Sequence, residues 1–266
     1  MQKQFDAEEV ARYEKATWSR CAGVYMDGFG PLAMEAVNPL LDEVGISDGS
    51  RVLDVGTGPG LTAAAAQARG AETIGLDFSK RMLQEARRLN PDIEFYEASA
   101  DSLPFEDGWF DAVVGNFFLH HSARPEKVLE EAFRVLKPGG KAGFTVWSEL
   151  PKLEAFGLFL AAVEENFGAA ELPHGPLFGV ADSEIFHQMC RQAGFRDSSV
   201  RELPIAWRTN SIESFLDAFR DWADLETFPA EAQKNIENTV RKNSAAYKDG
   251  ETLVMPNPAV LISAVK

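Results

Sequence analysis

Hydrophobic residues before residue 50 recur at the three- and four-residue spacing of amphipathic helices. The first helix begins at a capping-box pattern formed by Asp6 and Glu9. A second helix is predicted from about residue 31 to residue 44. The chain therefore places a helical segment ahead of its first strand.

From Arg51 the pattern changes to short apolar strands that alternate with amphipathic helices. The predicted strands are RVLDV, ETIGL, IEFYEA, DAVVGNF and KAGFTVW. One helix between them, KRMLQEARRLN, starts at the N-cap Ser79, and another is PEKVLEEAFRVL. Such regular alternation predicts an α/β fold with a doubly wound, parallel sheet.

Beyond Trp147 the pattern is mixed. Helices are predicted near residues 153–167 and 182–193, a strand near 200–207, a helical insertion, and a last strand AVLISAV. We divide the chain into an N-terminal helical lid (1–48), a Rossmann-like core (49–210), a helical cap insertion (211–250) and a last core strand (251–266). The helical spacing of Phe215, Phe219 and Trp222 in the cap is more typical of a buried face than of a ligand site.

The charge, the length of apolar runs and the cysteine positions limit the classes of function that we expect for this chain. The net charge of −15 among 266 residues disfavours nucleic-acid partners, because an acidic surface repels phosphates. No apolar run approaches the ~20 residues that span a bilayer, and the N-terminus lacks a signal-peptide core, so we expect a cytoplasmic protein without a membrane partner. Cys21 and Cys190 stand far apart, which predicts two buried, reduced thiols and neither a metal site nor a disulfide.

A glycine-rich turn follows the first strand. Gly56, Gly58 and Gly60 lie between RVLDV and a helix, where backbone must approach a ligand closely. Asp77 closes the second strand about 20 residues later, where a carboxylate can accept hydrogen bonds from both ribose hydroxyls. The pattern predicts a nucleoside-cofactor site, although an ordinary tight turn and an unrelated strand-end acid remain the simpler alternatives.

The same features suit a nicotinamide dehydrogenase, whose fingerprint is GxGxxG. Here the third glycine arrives one residue early, and Pro59 removes an amide that a pyrophosphate would use. Asp54 precedes the turn and disfavours phosphate while tolerating a cation. This charge argument favours S-adenosylmethionine (SAM) over a dinucleotide.

Four successive segments, LDVGTGPG, GLDFS with MLQEAR, LPFEDGWFDAVV and RVLKPGG, resemble the motifs of class I SAM-dependent methyltransferases. The resemblance covers roughly residues 52–146 and is greatest to the ubiquinone/menaquinone-biosynthesis type and its small-molecule relatives. It implies a Rossmann-like sheet of seven strands, mostly parallel, with the last strand antiparallel.

The resemblance also implies a cofactor site. The three glycines would pass close to the methionine moiety and ribose, and Asp77 would hold the ribose hydroxyls. Phe78 and Met82 would flank the adenine. Ser99 and Ala100 would meet its polar edge; relatives usually carry Asp in place of Ser99, so Asp101 is an alternative partner. Asn116 would present backbone near the methionine end.

Candidate chemistry lies after the fourth strand. The run there is Asn116-Phe117-Phe118-Leu119, without the Pro-Pro pair of base-modifying amino methyltransferases, which argues against nucleobase amines. His120 and His121 follow at the carboxyl end of the strand, where ligands of open α/β sheets collect. A histidine there suits a general base, although a purely loop-ordering role is the more ordinary explanation.

Five aromatic residues are candidates for the acceptor site. Those of the N-terminal helices would form a lid over the sulfonium, because aromatic faces favour cations, although ordinary helix packing explains them equally well. Those of the cap would shape the acceptor pocket. The five are Tyr13, Trp18, Tyr25, Phe219 and Trp222.

The sequence thus predicts a methyltransferase that moves a methyl group from SAM to a small molecule by in-line displacement and releases S-adenosylhomocysteine. The main alternative is a SAM-binding protein without methyl transfer, because fold and cofactor do not fix function. A dehydrogenase is a more distant alternative. The acceptor itself is not predicted.

Overall fold

The computed structural model describes residues 6–168 and 179–266; the first five residues of the predicted lid and residues 169–178 of the predicted core lie outside the described chain. Two helices open the structure, α1 (Ala7–Cys21) and α2 (Gly30–Val44). The Asp6 carboxylate caps α1 by accepting a hydrogen bond from the Glu8 amide at 3.1 Å. Gly45 ends α2 in the left-handed conformation, with φ 75°.

The core alternates strands and helices as predicted. In chain order the elements are β1 (Arg51–Val55), α3 (Leu61–Ala68), β2 (Glu72–Asp77), α4 (Lys80–Leu89), β3 (Glu94–Glu97), β4 (Phe110–Gly115), α5 (Pro125–Val135) and β5 (Leu136–Trp147). The chain continues with α6 (Glu154–Phe167), α7 (Ser183–Ala193), β6 (Asp197–Leu203), β7 (Ala206–Thr209), α8 (Ile212–Trp222), α9 (Ala230–Asn243), β8 (Lys248–Asp249), β9 (Thr252–Pro256) and β10 (Ala259–Val265).

Seven strands form the main sheet in the order β3-β2-β1-β4-β5-β10-β6. The first five pair in parallel, and β10 pairs antiparallel with both β5 and β6. The prediction of a mostly parallel, seven-stranded sheet with an antiparallel last strand is confirmed. The order reverses beside β1, so the carboxyl ends of β1 and β4 flank a crevice of the kind in which open α/β sheets bind ligands.

The single strand predicted over residues 200–207 is wrong. The chain instead forms β6 and β7, with Pro204 between them. Proline has no amide hydrogen and interrupts a hydrogen-bonded ladder. The β7 strand pairs with β9, and β9 with β8, in a separate three-stranded antiparallel sheet. This small sheet straddles the predicted boundaries of the cap at residues 211 and 250.

Helix α8, which lies in the predicted cap, packs its aromatic face into the protein core. Phe219 is 0% exposed and stacks on Phe159, with ring centroids 4.5 Å apart. Phe215 is equally buried against Trp207. Helical spacing in this segment therefore reflects core packing.

Cys21 and Cys190 are both buried free thiols, in agreement with the prediction. Within the described ranges, no helix has the length and apolar character needed to cross a membrane.

Candidate functional site

A cleft opens at the carboxyl ends of β1, β2 and β4. Nine of the residues that line it are predicted site residues: Trp18, Tyr25, Gly56, Gly58, Asp77, Phe78, Met82, Asn116 and His121. Five others line it that the sequence did not single out for this role: Phe29, Ala33, Phe117, Phe118 and Trp147. The cleft therefore joins the glycine turn to an aromatic chamber built by the N-terminal helices and by the chain segments that follow β4 and end β5.

The glycine turn is shaped by both conformation and space. Gly56 and Gly58 have φ of 65° and 53°, which side-chain-bearing residues rarely adopt. A Cβ at Gly56 would also collide with the ring of Phe118. Gly60, with φ 86°, begins α3 and packs near Asn90 and Phe95 rather than lining the cleft. The turn thus presents bare backbone to the cleft.

Asp54 supports the turn from behind and does not line the cleft. Its Oδ2 accepts hydrogen bonds from the Thr57 hydroxyl at 2.6 Å and the Ala63 amide at 3.0 Å. Its Oδ1 is buried without a partner among the described residues. Burial raises the pKa of the Asp54 carboxyl to about 7, against the opposing effect of the two hydrogen bonds.

Asp77 faces the cleft at the end of β2. Its Oδ1 accepts a hydrogen bond from the Ser79 amide at 2.8 Å, and its Oδ2 accepts one from the Gly58 amide at 3.0 Å. Burial raises the pKa of this carboxyl to about 6, while the amide hydrogen bonds act in the opposite direction. The carboxylate keeps lone pairs that can accept ligand hydroxyls.

Asn116 turns the chain at the end of β4. Its Nδ2 donates to the Ala33 carbonyl at 3.0 Å, and its Oδ1 accepts from the Thr145 hydroxyl at 2.6 Å. Because the side chain is committed to the protein, the backbone of Asn116 is left to face the cleft. Phe117 follows with φ 50° and stacks on Trp147, with ring centroids 3.9 Å apart.

Comparison with known proteins agrees with this geometry. A family model described as "Methyltransferase domain" matches residues 53–144. A demethylmenaquinone methyltransferase of Clavibacter sepedonicus is 35% identical over 169 residues, covering 58% of this chain and 69% of the relative.

The chain belongs to the class I SAM-dependent methyltransferases.

Solved structures share the fold of this methyltransferase. The YcgJ protein of Bacillus subtilis superposes with a TM-score of 0.60 at 20% identity, covering 87% of this chain and 97% of that one. A Haemonchus contortus phosphoethanolamine N-methyltransferase 2, solved with S-adenosyl-L-methionine, superposes with a TM-score of 0.58 at 20% identity. That match covers 100% of this chain and 58% of the other.

His121 lines the aromatic end of the methyltransferase cleft and lies against two side chains of α1, Glu14 and Trp18. It lies in a 3-10 turn (Leu119–His121) that begins four residues after the end of β4 at Gly115. Its Nδ1 is 3.1 Å from the Oε2 of Glu14, a buried residue of α1, although the ring N–H is not aligned with that oxygen. The same oxygen accepts a hydrogen bond from the Trp18 indole at 3.0 Å. Sequence inspection missed Glu14, because a single acid on an amphipathic helix resembles a solvated position.

His120 does not line the cleft. It is fully buried beside His121, and burial lowers the pKa of its imidazole well below the usual range. Neither ring nitrogen has a hydrogen-bond partner within the part of the chain that the structure describes. Both His120 and His121 were catalytic candidates from the sequence, but only His121 lines the cleft.

Several other predicted site residues do not line the cleft. Ser99, Ala100 and Asp101 follow β3, and Asp101 pairs with Arg124 at 3.7 Å. The remaining lid candidate, Tyr13, and the cap candidate Trp222 are partly buried and do not line it either. Phe219 reaches it only indirectly, through its contact with Phe29 at a centroid distance of 5.7 Å. Phe219 therefore cannot touch an acceptor without repacking of the core.

Proposed function

We propose that this methyltransferase acts on a small, planar and largely apolar acceptor held in the aromatic chamber. The observation that carries the proposal is the composition of the cleft wall. Seven of its lining residues are Phe, Tyr or Trp, and no Lys or Arg lines it within the described chain. Aromatic walls bury flat apolar ligands favourably.

In this proposal the cofactor occupies the half of the cleft beside the glycine turn. The backbone of Gly56 and Gly58 lies against the methionine moiety and ribose, and Asp77 accepts the ribose hydroxyls. Phe78 and Met82 flank the adenine. SAM supplies an electrophilic methyl group on a sulfonium when it is bound. The absence of lining cations suits a positively charged cofactor without phosphates.

The remaining half of the cleft would then receive the acceptor. Phe117 and Trp147 form one wall, with their rings inclined by 24°. Trp18, Tyr25 and Phe29 form a second aromatic group in the lining, in which the Trp18 ring centroid lies 6.1 Å from that of Tyr25 and 5.9 Å from that of Phe29. Methyl transfer by in-line displacement mainly requires alignment and exclusion of water, which a rigid aromatic chamber provides.

Two further observations support a small molecule rather than a polymer. The net charge of −15 opposes binding of nucleic acid. The Clavibacter relative is named for demethylmenaquinone, whose ring system is a flat quinone. From this relative we take only the chemical class, a flat ring compound, as the acceptor proposed for the present chain.

The test is release of S-adenosylhomocysteine from SAM in the presence of chosen acceptors. We expect turnover with 1,4-naphthohydroquinone or catechol and none with phosphoethanolamine or an oligonucleotide. Trp147→Ala should weaken acceptor use at least roughly tenfold, through loss of more than ~1.4 kcal/mol of contact. Trp109→Ala is the matched control, because Trp109 is 42% exposed on the surface and does not line the cleft. Turnover confined to phosphoethanolamine or the oligonucleotide would refute the proposal.

A further inference from the structure

Glu14 and His121 connect the N-terminal helix to the reactive end of the cleft. The Glu14 residue is only 3% exposed, and its Oε2 lies within 3.1 Å of His121 Nδ1 and 3.0 Å of Trp18 Nε1. Trp18 in turn packs edge-on against His121, with ring centroids 4.9 Å apart. A buried carboxylate is costly unless it is paired, so its placement against an imidazole requires an explanation.

The position of Glu14 selects one tautomer of His121. A carboxylate beside Nδ1 stabilises the form that carries its hydrogen there, which leaves the lone pair on Nε2. The same carboxylate stabilises the imidazolium that forms when Nε2 accepts a proton. The pair is therefore arranged to receive a proton.

Other titratable groups around His121 do not compete for this role. Tyr25 also lines the cleft, and burial raises the pKa of that phenol, which keeps it protonated. His120 adjoins it on the same turn, buried away from the cleft. Asp77 accepts hydrogen bonds from two backbone amides, those of Gly58 and Ser79. Arg124, just before α5, pairs with Asp101.

We propose that His121 is the proton acceptor of this methyltransferase, that Glu14 is its positioning residue, and that the acceptor presents a phenolic or enolic hydroxyl. This inference rests on the function proposed above and specifies its acceptor. The hydroxyl O–H bond breaks and its proton passes to Nε2 of His121. The oxyanion forms the new O–CH3 bond. Where the ring carbon that it activates attacks instead, the C–H proton of that carbon then leaves to restore the ring, and the oxygen regains a proton from water. The S–CH3 bond breaks with its electrons going to sulfur, and the imidazolium returns its proton to water.

Charge distinguishes a hydroxyl acceptor from an ammonium one. An ammonium would bring a second positive charge toward the sulfonium at the aromatic end of the cleft, where the Glu14 carboxylate does not line the wall and already lies against His121 and the Trp18 indole. Two like charges in such a desolvated site repel strongly. A neutral hydroxyl requires only a hydrogen-bond acceptor, which Nε2 of His121 supplies.

The tautomer of His121 tests the positioning role without turnover. Nitrogen-15 NMR of the full chain resolves the ring nitrogens, and His121→Asn assigns the resonance among the four histidines. We expect wild type to carry its hydrogen on Nδ1 and Glu14→Gln to lose this preference. Glu9→Gln, an exposed position on the same helix, should leave it unchanged. An unchanged His121 tautomer in Glu14→Gln would overturn the role of Glu14.

Ligand binding tests the acceptor class separately. In calorimetry with S-adenosylhomocysteine present, 1-naphthol should bind at least roughly tenfold more tightly than 1-methoxynaphthalene, and His121→Asn should remove the difference. Equal affinities in wild type would overturn the hydroxyl assignment while leaving the planar acceptor intact. Failure of both compounds to bind would instead count against the proposed planar acceptor as well as against this inference.

The pH profile gives a third measure. Should any hydroxyl-bearing acceptor turn over, kcat of wild type should show the acidic limb that a proton acceptor produces, and Glu14→Gln should move that limb with little change in KM. A role of Glu14 confined to folding would lower the amount of active enzyme without moving the limb. An unmoved limb in folded Glu14→Gln would therefore contradict the proposal.

Discussion

The amide of Gly58 donates a hydrogen bond to Asp77 Oδ2 at 3.0 Å, which ties the glycine turn after β1 to the end of β2. A second amide, that of Ser79, donates to the other carboxylate oxygen at 2.8 Å. The side chain is therefore held in place before any ligand arrives. This preorganisation places its remaining lone pairs toward the cleft and makes Asp77 the most direct test of the cofactor site.

Replacing Asp77 with Ala should weaken binding of S-adenosylhomocysteine roughly 10- to 100-fold, because hydrogen bonds to a charged acceptor contribute about 1.5 to 3 kcal/mol. Isothermal titration calorimetry measures the change. Asp92→Ala is the control, since Asp92 is exposed near the start of β3. An unchanged dissociation constant in folded Asp77→Ala would show that the ribose is held by other groups.

Cofactor affinity should also depend on pH. The pKa of Asp77 is raised to about 6, so below that pH the carboxyl of the free protein is protonated and cannot accept both ribose hydroxyls as a carboxylate does. Affinity for S-adenosylhomocysteine should therefore rise as pH increases through about 6. Calorimetry between pH 5 and 8 tests this, and Asp77→Asn should lessen the dependence. A wild-type affinity that falls over this range would contradict the prediction.

Because Asp54 is buried, its ionisation should make the folded protein less stable. Ionisation of an ion-paired acid has the opposite effect on stability. Its folded-state pKa of about 7 exceeds the ordinary value of 3.8, so the folded protein holds a proton that the unfolded chain has released. The free energy of unfolding should therefore fall as pH rises from about 4 to about 7. Asp54→Asn should show a shallower fall in urea titrations. If the free energy of unfolding changed equally with pH in the two proteins, Asp54 would be ionised throughout this pH range.

The alternation of strands and helices was predictable because every strand of the parallel sheet carries its own apolar run. The glycine turn and Asp77 were predictable because their conformational and charge requirements are local. The aromatic chamber was not predictable from the sequence. Phe29 and Trp147 face the cleft only because α2 and the end of β5 meet there, and Glu14 is an ordinary polar position until α1 docks over the turn at His121.

The sequence predicts that Phe219 and Trp222, in the predicted cap, shape the acceptor pocket. Their burial predicts instead that they contribute to stability. Phe219 is 0% exposed between Phe159 and Trp207, so Phe219→Ala should cost ~3–5 kcal/mol of stability and lower the melting temperature. Trp222 is only partly buried, and Trp222→Ala should cost less. Thermal unfolding of both variants measures the difference. A melting temperature unchanged by Phe219→Ala would contradict its assignment to the core.

Thr145 holds the turn that carries Asn116 and Phe117. Its Oγ1 accepts a hydrogen bond from the Phe117 amide at 2.8 Å and donates one to Asn116 Oδ1 at 2.6 Å. All of Thr145 is buried, so no water can replace these bonds without rearrangement. Thr145→Val keeps the shape but leaves an amide and a carbonyl oxygen unpaired, at a cost of about 1–3 kcal/mol for each buried group.

The turn also contains Phe117 at φ 50°, a conformation that persists only when its surroundings impose it. Thr145→Val should therefore release the turn, displace the Phe117 ring from Trp147, and weaken S-adenosylhomocysteine binding through the Asn116 backbone. Thr145→Ser retains the hydroxyl and should restore most of the affinity, which separates the hydrogen bonds from the lost methyl group. Calorimetry and tryptophan fluorescence follow the two effects. Wild-type affinity and fluorescence in Thr145→Val would show that ring packing alone fixes the turn.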